Sequence, residues 1–103
     1  MKVAVIGAGI VGACAAFYLS QSNDCEVILI DKALEGKATL AGAGIICPWI
    51  SRYHDPDWFV IASRGAQYYP GLIHSLNQLG ETDTGYKQTG GIATSKDINV
   101  LNN

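Results

Sequence analysis

Gly7, Gly9 and Gly12 fall within the hexapeptide Gly7-Ala8-Gly9-Ile10-Val11-Gly12, and a carboxylate, Asp31, follows 19 residues after the last of them. Glycines at this spacing suit a turn that cradles a pyrophosphate. Gly7 permits a tight reversal, Gly9 lets backbone N–H groups approach an anion with no Cβ between, and Gly12 allows close packing behind the turn. An acid about 20 residues on can accept hydrogen bonds from ribose hydroxyls. The same acid repels a 2′-phosphate, so a phosphorylated ribose is disfavoured. Together these residues point to a dinucleotide.

Such a site needs particular elements to position it. Residues 3–6 (VAVI) form a short apolar run, as expected of a strand buried on both faces of a parallel sheet. From residue 10 to about 21 the pattern is helical, with Val11, Ala15 and Leu19 on one stripe. Ser22, Asn23 and Asp24 end that helix, and residues 26–30 (EVILI) read as a second buried strand closing on Asp31. The helix N-terminus then offers unpaired N–H groups and the positive end of its dipole to the anion. The opening segment can also be read as an export signal, with Val11-Gly12-Ala13-Cys14 as a lipoprotein-type cleavage box. Lys2 is its one basic residue, however, and three glycines would weaken a signal helix. Strand, glycine turn, helix, strand and acid account for every residue, and the phosphate turn is the better reading.

Composition limits the alternatives. The chain has 103 residues, about half of them hydrophobic, with a net charge of −2. It is long enough for one domain, and its scattered charge gives no groove for nucleic acid. Cys14, Cys25 and Cys47 are odd in number and lack paired-ligand spacing, which argues against a disulfide framework and a metal site and for a reducing, cytoplasmic location. No segment has the apolar length of a transmembrane helix.

A second small-residue run, K-A-T-L-A-G-A-G-I-I-C-P-W from Lys37 to Trp49, would let a flat ring system lie along the main chain. In order and spacing, G-A-G-I-V-G-A-C-A-A-F-Y-L, V-I-L-I-D-K and T-L-A-G-A-G-I-I-C-P-W resemble the D-amino-acid oxidase-like family of FAD-dependent oxidoreductases. The resemblance continues through Y-Y-P-G-L-I-H-S-L-N-Q-L-G-E-T-D-T-G-Y-K-Q-T-G-G-I-A-T-S and covers essentially the whole chain. It implies an α/β fold: a Rossmann-like βαβ FAD-binding unit with parallel strands, followed by helices leading into a substrate domain that is mostly absent. It also implies that Gly7, Gly9, Ile10, Val11 and Gly12 hold the pyrophosphate of FAD and that Asp31 and Lys32 flank the adenosine ribose. Thr39 would lie near the phosphates, and Ala43, Gly44, Ile45 and Ile46 beside the flavin ring. The family's lead-in to this run is often more polar than Ala38, Thr39 and Leu40.

The implied activity is oxidation of an amine or amino acid (glycine, an N-methyl or a D-amino acid) by hydride transfer to the flavin. The alternatives are an NAD-binding dehydrogenase domain and a non-catalytic nucleotide-binding fragment. The expected partners are the small-molecule substrate and the remainder of the same polypeptide beyond Asn103. Residues 1–50 would be the N-terminal part of the FAD-binding domain, and residues 51–103 a helical segment and the first strand of the substrate domain. The family's proteins are several times longer, so catalytic residues are expected past Asn103 and the fragment alone is expected to be inactive.

In the second half, a helix is expected to begin at Asp57, with Trp58, Ile61 and Ala62 on one face. Pro70 suits the first turn of a second helix over 70–79, and Gly80 follows as its stop. Residues 90–94 read as the beginning of a strand. Arg52 can hold a carboxylate bidentately and His54 can move a proton, but Arg52, Tyr53 and His54 read more simply as a solvated loop. Trp58, Tyr68 and Tyr69 read as packing residues, His74 as polar surface, and Cys47 as a thiol with no activating neighbour.

Overall fold

A computed structural model of the chain describes residues 1–32, 34–51 and 55–96. It divides into two compact units, Met1–Ile45 and Ile46–Asn103.

The first unit is a βαβ arrangement: β1 (Lys2–Ile6), α1 (Ile10–Ser20), β2 (Glu26–Ile30) and a single-turn helix, α2 (Ala38–Ala41). The strands run parallel, in register from Lys2 opposite Glu26 to Ile6 opposite Ile30. Parallel neighbours need a crossover rather than a hairpin, and α1 supplies it. An exposed Lys2–Glu26 ion pair at 3.1 Å marks one end of the ladder. At the other end the Gly7 N–H donates to the Ile30 carbonyl at 2.7 Å, carrying the pairing one step into the turn.

Helix α1 covers one face of this ribbon. Its inward stripe is Gly12, Ala16 and Leu19, with Ala16 buried. The stripe expected from periodicity was Val11, Ala15 and Leu19, and only Leu19 belongs to it. Val11 is 80% exposed and Ala15 also faces outward. The cause is the close approach at Gly12, where an added Cβ would lie 1.8 Å from the Gly7 carbonyl oxygen and 3.5 Å from Val5 Cγ1. The tightest contact takes the smallest residues, and that rotates the larger Val11 away from the sheet. Val3, Val5 and Val27 are half-buried, whereas Ala4, Ile6, Ile28 and Ile30 alternate onto an exposed face. The two-sided burial expected of these strands is met in part on one side only, where Leu29 stays 44% exposed.

The second unit holds a 3-10 turn, Pro48–Ile50, which packs against α3 (Pro56–Gln78). Asp55 caps α3, its carboxylate accepting from the Trp58 N–H at 2.9 Å, with Pro56 in the first turn where a missing N–H costs nothing. The two helices expected around Pro70 are one helix of 23 residues with Pro70 inside it. Pro70 removes one hydrogen bond, and interior proline costs about 3 kcal/mol. The half-buried stripe Ala62, Ala66, Tyr69, Ile73 and Leu76 continues through that point, and Pro70 itself faces outward. The stripe thus runs unbroken past the position of the lost bond. Ile61, expected to face inward, is 74% exposed.

The C-terminus of α3 is a Schellman stop. The Gly80 N–H donates to the Asn77 carbonyl at 3.1 Å and the Glu81 N–H to the Leu76 carbonyl at 3.0 Å. Gly80 takes φ +96°, the left-handed value this stop requires. Beyond it, Tyr86 stacks on Tyr69 with centroids 5.9 Å apart. Tyr68 is 70% exposed and His74 is exposed. Residues 90–94 make no β-ladder among the described residues, because no neighbouring strand is there to take their hydrogen bonds. Arg52, Tyr53 and His54 lie outside the described residues.

Candidate dinucleotide site

The site assembles where β1 gives way to α1. Gly7 leaves the strand with φ +99°, a backbone conformation that L side chains rarely adopt. Gly9 is the N-cap of α1 and has no side chain to cap it. Thr39 supplies that function from outside the helix, its Oγ1 accepting from the Ile10 N–H at 3.0 Å. A Cβ on Gly9 would sit 3.1 Å from the same oxygen. Glycine is therefore favoured here for the Thr39 contact as well as for any ligand. Val11 and Gly12 follow in the first turn of α1, where the helix itself provides no acceptors for N–H groups.

Asp31, just past β2, joins the turn from the other side. Its Oδ1 accepts from the Ala8 N–H at 2.9 Å, and its Oδ2 pairs with the Lys37 ammonium. The Ala8 hydrogen bond and then the Lys37 hydrogen bond hold its carboxyl below the ordinary value of 3.8, against the opposing effect of burial. The two side chains keep only 26% (Asp31) and 29% (Lys37) of their exposure. A carboxylate has about four acceptor positions. Two protein partners leave others for ribose hydroxyls.

Thr39 thus meets Gly9 and Ile10, Gly12 packs closely on Gly7, and Asp31 joins the turn between them at Ala8. Val11 is exposed beside them and Lys32 is exposed next to Asp31. Ala43, Gly44 and Ile45 follow α2 as exposed chain, with Gly44 at φ +70°. Ile46 opens the second unit. Lys37 is the participant that sequence reasoning missed. It reaches Asp31 across six residues and through a turn at Gly36 (φ +78°), a spacing that matches neither helix nor strand periodicity. The second role of Thr39, as a cap for α1, was equally hidden.

The residues present fit a dinucleotide. A turn with glycine at positions 7 and 9 leads into an 11-residue helix, and an ionised acid stands beside it. Among the described residues no group of His, Cys, Asp or Glu could hold a metal ion, and no helix is long and apolar enough to cross a membrane.

The chain is 45% identical over 97 residues to the "uncharacterized oxidoreductase YurR" of Bacillus subtilis (strain 168), covering 94% of this chain and 26% of that protein. Its structure is similar to the crystal structure of iminodiacetate oxidase (IdaA) from Chelativorans sp. BNC1, with a TM-score of 0.78 and 48% identity over 84% of this chain and 23% of that one. The chain spans about a quarter of the length of the curated relative it matches. Residues 2–100 match the family described as "DAO: FAD dependent oxidoreductase". With a matching parallel fold and a glycine turn backed by an acid, the chain belongs to the DAO family of FAD-dependent oxidoreductases.

Proposed function

We propose that this chain is the N-terminal FAD-binding part of an enzyme that oxidises an amine or amino acid at the carbon bearing nitrogen. The candidates are glycine, an N-methyl amino acid and a D-amino acid. The observation that carries the substrate class is the likeness, at 48% identity, to a protein named iminodiacetate oxidase. The Thr39–Ile10 hydrogen bond supports FAD over NAD, because it brings the beginning of the small-residue run against the phosphate turn.

Bound FAD supplies the hydride acceptor. The chain's own part is to bind and orient. N–H groups of the first turn of α1, at Val11 and Gly12, would meet the pyrophosphate over the open surface of Gly7 and Gly9, and Ile10, its N–H held by Thr39, would line the turn. Asp31 would accept from the ribose hydroxyls with Lys32 alongside, and Thr39 would hold the loop close to the phosphates. Ala43, Gly44, Ile45 and Ile46 would flank the ring. Residues 1–50 would serve the cofactor, and residues 51–103 would lead into a substrate domain supplied by the rest of the polypeptide. The free thiols of Cys14, Cys25 and Cys47 suit a reducing compartment such as the cytoplasm.

The test uses the full-length polypeptide that carries this sequence. It is denatured after purification and the released nucleotide is identified by mass spectrometry, and the native protein is screened against amines and amino acids with a dye acceptor. FAD release together with turnover of an amine is expected. Release of NAD, or turnover of hydroxy acids alone, would reject the proposal.

A further inference from the structure

Lys37 is held at both ends. Its carbonyl accepts from the Leu40 and Ala41 N–H groups at 3.0 and 3.2 Å, which fixes its backbone to the beginning of α2. Its ammonium pairs with Asp31 Oδ2 while Oδ1 of the same carboxylate accepts from Ala8, in the middle of the phosphate turn. Lys32, adjacent to Asp31 in sequence, is exposed. Two residues after Lys37, Thr39 binds the Ile10 N–H. One short segment therefore touches the turn twice, directly through Thr39 and through Asp31 by way of Lys37.

This arrangement answers an electrostatic problem. A carboxylate one hydrogen bond from the turn is useful to a ribose but opposes a pyrophosphate, which carries negative charge of its own. A lysine paired to that carboxylate makes the couple neutral. It also occupies one acceptor position on Oδ2, which limits how the carboxylate can rotate and leaves its remaining lone pairs in a fixed direction.

We infer that Lys37 is a positioning residue of the dinucleotide site, orienting Asp31 against Ala8 and cancelling its charge so that ribose and pyrophosphate can be bound together. The inference rests on the FAD reading above. Lys37 acts through Asp31 and not on the nucleotide.

The test is a double-mutant cycle on the full-length polypeptide, with FAD titrated into apoprotein and followed by flavin fluorescence. Lys37→Met is expected to weaken FAD binding about two- to fivefold, the upper range of a solvent-accessible ion pair. Lys37→Arg should restore affinity to within about twofold of wild type, because guanidinium keeps the charge and the donors. In an Asp31→Asn background, Lys37→Met should change affinity by less than about twofold. If its full effect persists there, Lys37 contacts the nucleotide itself and the inference is overturned. If Lys37→Met is neutral while Asp31→Asn weakens binding, the inference fails and the site stands. If Asp31→Asn and Gly9→Val are both neutral, the dinucleotide site fails with it. Melting temperatures separate loss of fold from loss of affinity, and Lys37→Gln replaces Lys37→Met in the cycle should the methionine variant not fold.

Discussion

Gly9 and Gly12 are both glycines of one motif, yet the structure assigns them different work. At Gly12 the space is taken by the protein, with a Cβ falling 1.8 Å from the Gly7 carbonyl oxygen. Gly12→Ala should therefore push α1 off the sheet and destabilise the protein by about 2 kcal/mol or more, read as a lower midpoint in denaturant unfolding. At Gly9 a Cβ would meet only Thr39 Oγ1, at 3.1 Å. Gly9→Val should abolish FAD binding in a flavin titration while far-UV circular dichroism stays near wild type. Unchanged affinity would remove the turn from the site. Asp31 has a third kind of role, visible in acid. Its folded pKa lies below the ordinary 3.8, so the unfolded chain binds more protons as pH falls through that region. The stability this group provides is complete above the ordinary value and is lost below it, as pH falls through the folded pKa. Unfolding free energy should thus fall more steeply with acid, below about pH 4, in wild type than in Asp31→Asn. Equal slopes would mean that the Ala8 and Lys37 contacts do not persist in solution.

Among the elements, α3 is the one that propensity misjudges. Pro70 looked like a boundary because the local rule about proline is strong, but Ala66, Tyr69, Ile73 and Leu76 form one half-buried stripe across it. Restoring the N–H with Pro70→Ala should stabilise the protein by about 1–3 kcal/mol, measured as a higher urea midpoint with an unchanged slope. A lower midpoint would show that the outward-facing proline ring is part of the packing. The strands, the glycine turn and the Gly80 stop of α3 were legible because each is decided by neighbours close in sequence. Gly80 just past the C-cap Leu79 is a signal of that kind, whereas the cap at Asp55 was passed over and the helix expected only from Asp57. The face of α1 was not legible, since whether Val11 or Gly12 turns inward depends on the Gly7 carbonyl. Nor was the Lys37–Asp31 pair, which depends on the turn at Gly36.

For the whole molecule, the decisive feature is apolar surface left open. Ile6 is 83% exposed, and Ile28 and Ile30 are each 50% exposed, on a sheet of two strands. Two-stranded ribbons are marginal alone, and a continuous apolar face in water is a docking surface or an aggregation hazard. A polypeptide of these 103 residues by itself is expected to bind the dye ANS, to hold FAD weakly or not at all, and to show no turnover. Retention of stoichiometric FAD through purification would overturn that expectation. The Thr39–Ile10 hydrogen bond has a consequence in time. It spans 29 residues, so the first helix of the chain is finished by a hydroxyl that follows both strands. Forming it requires closing a loop over the crossover and β2, an entropic cost met before the contact gives anything back. During synthesis the Ile10 N–H at the phosphate turn therefore stays uncapped until Thr39 has been made.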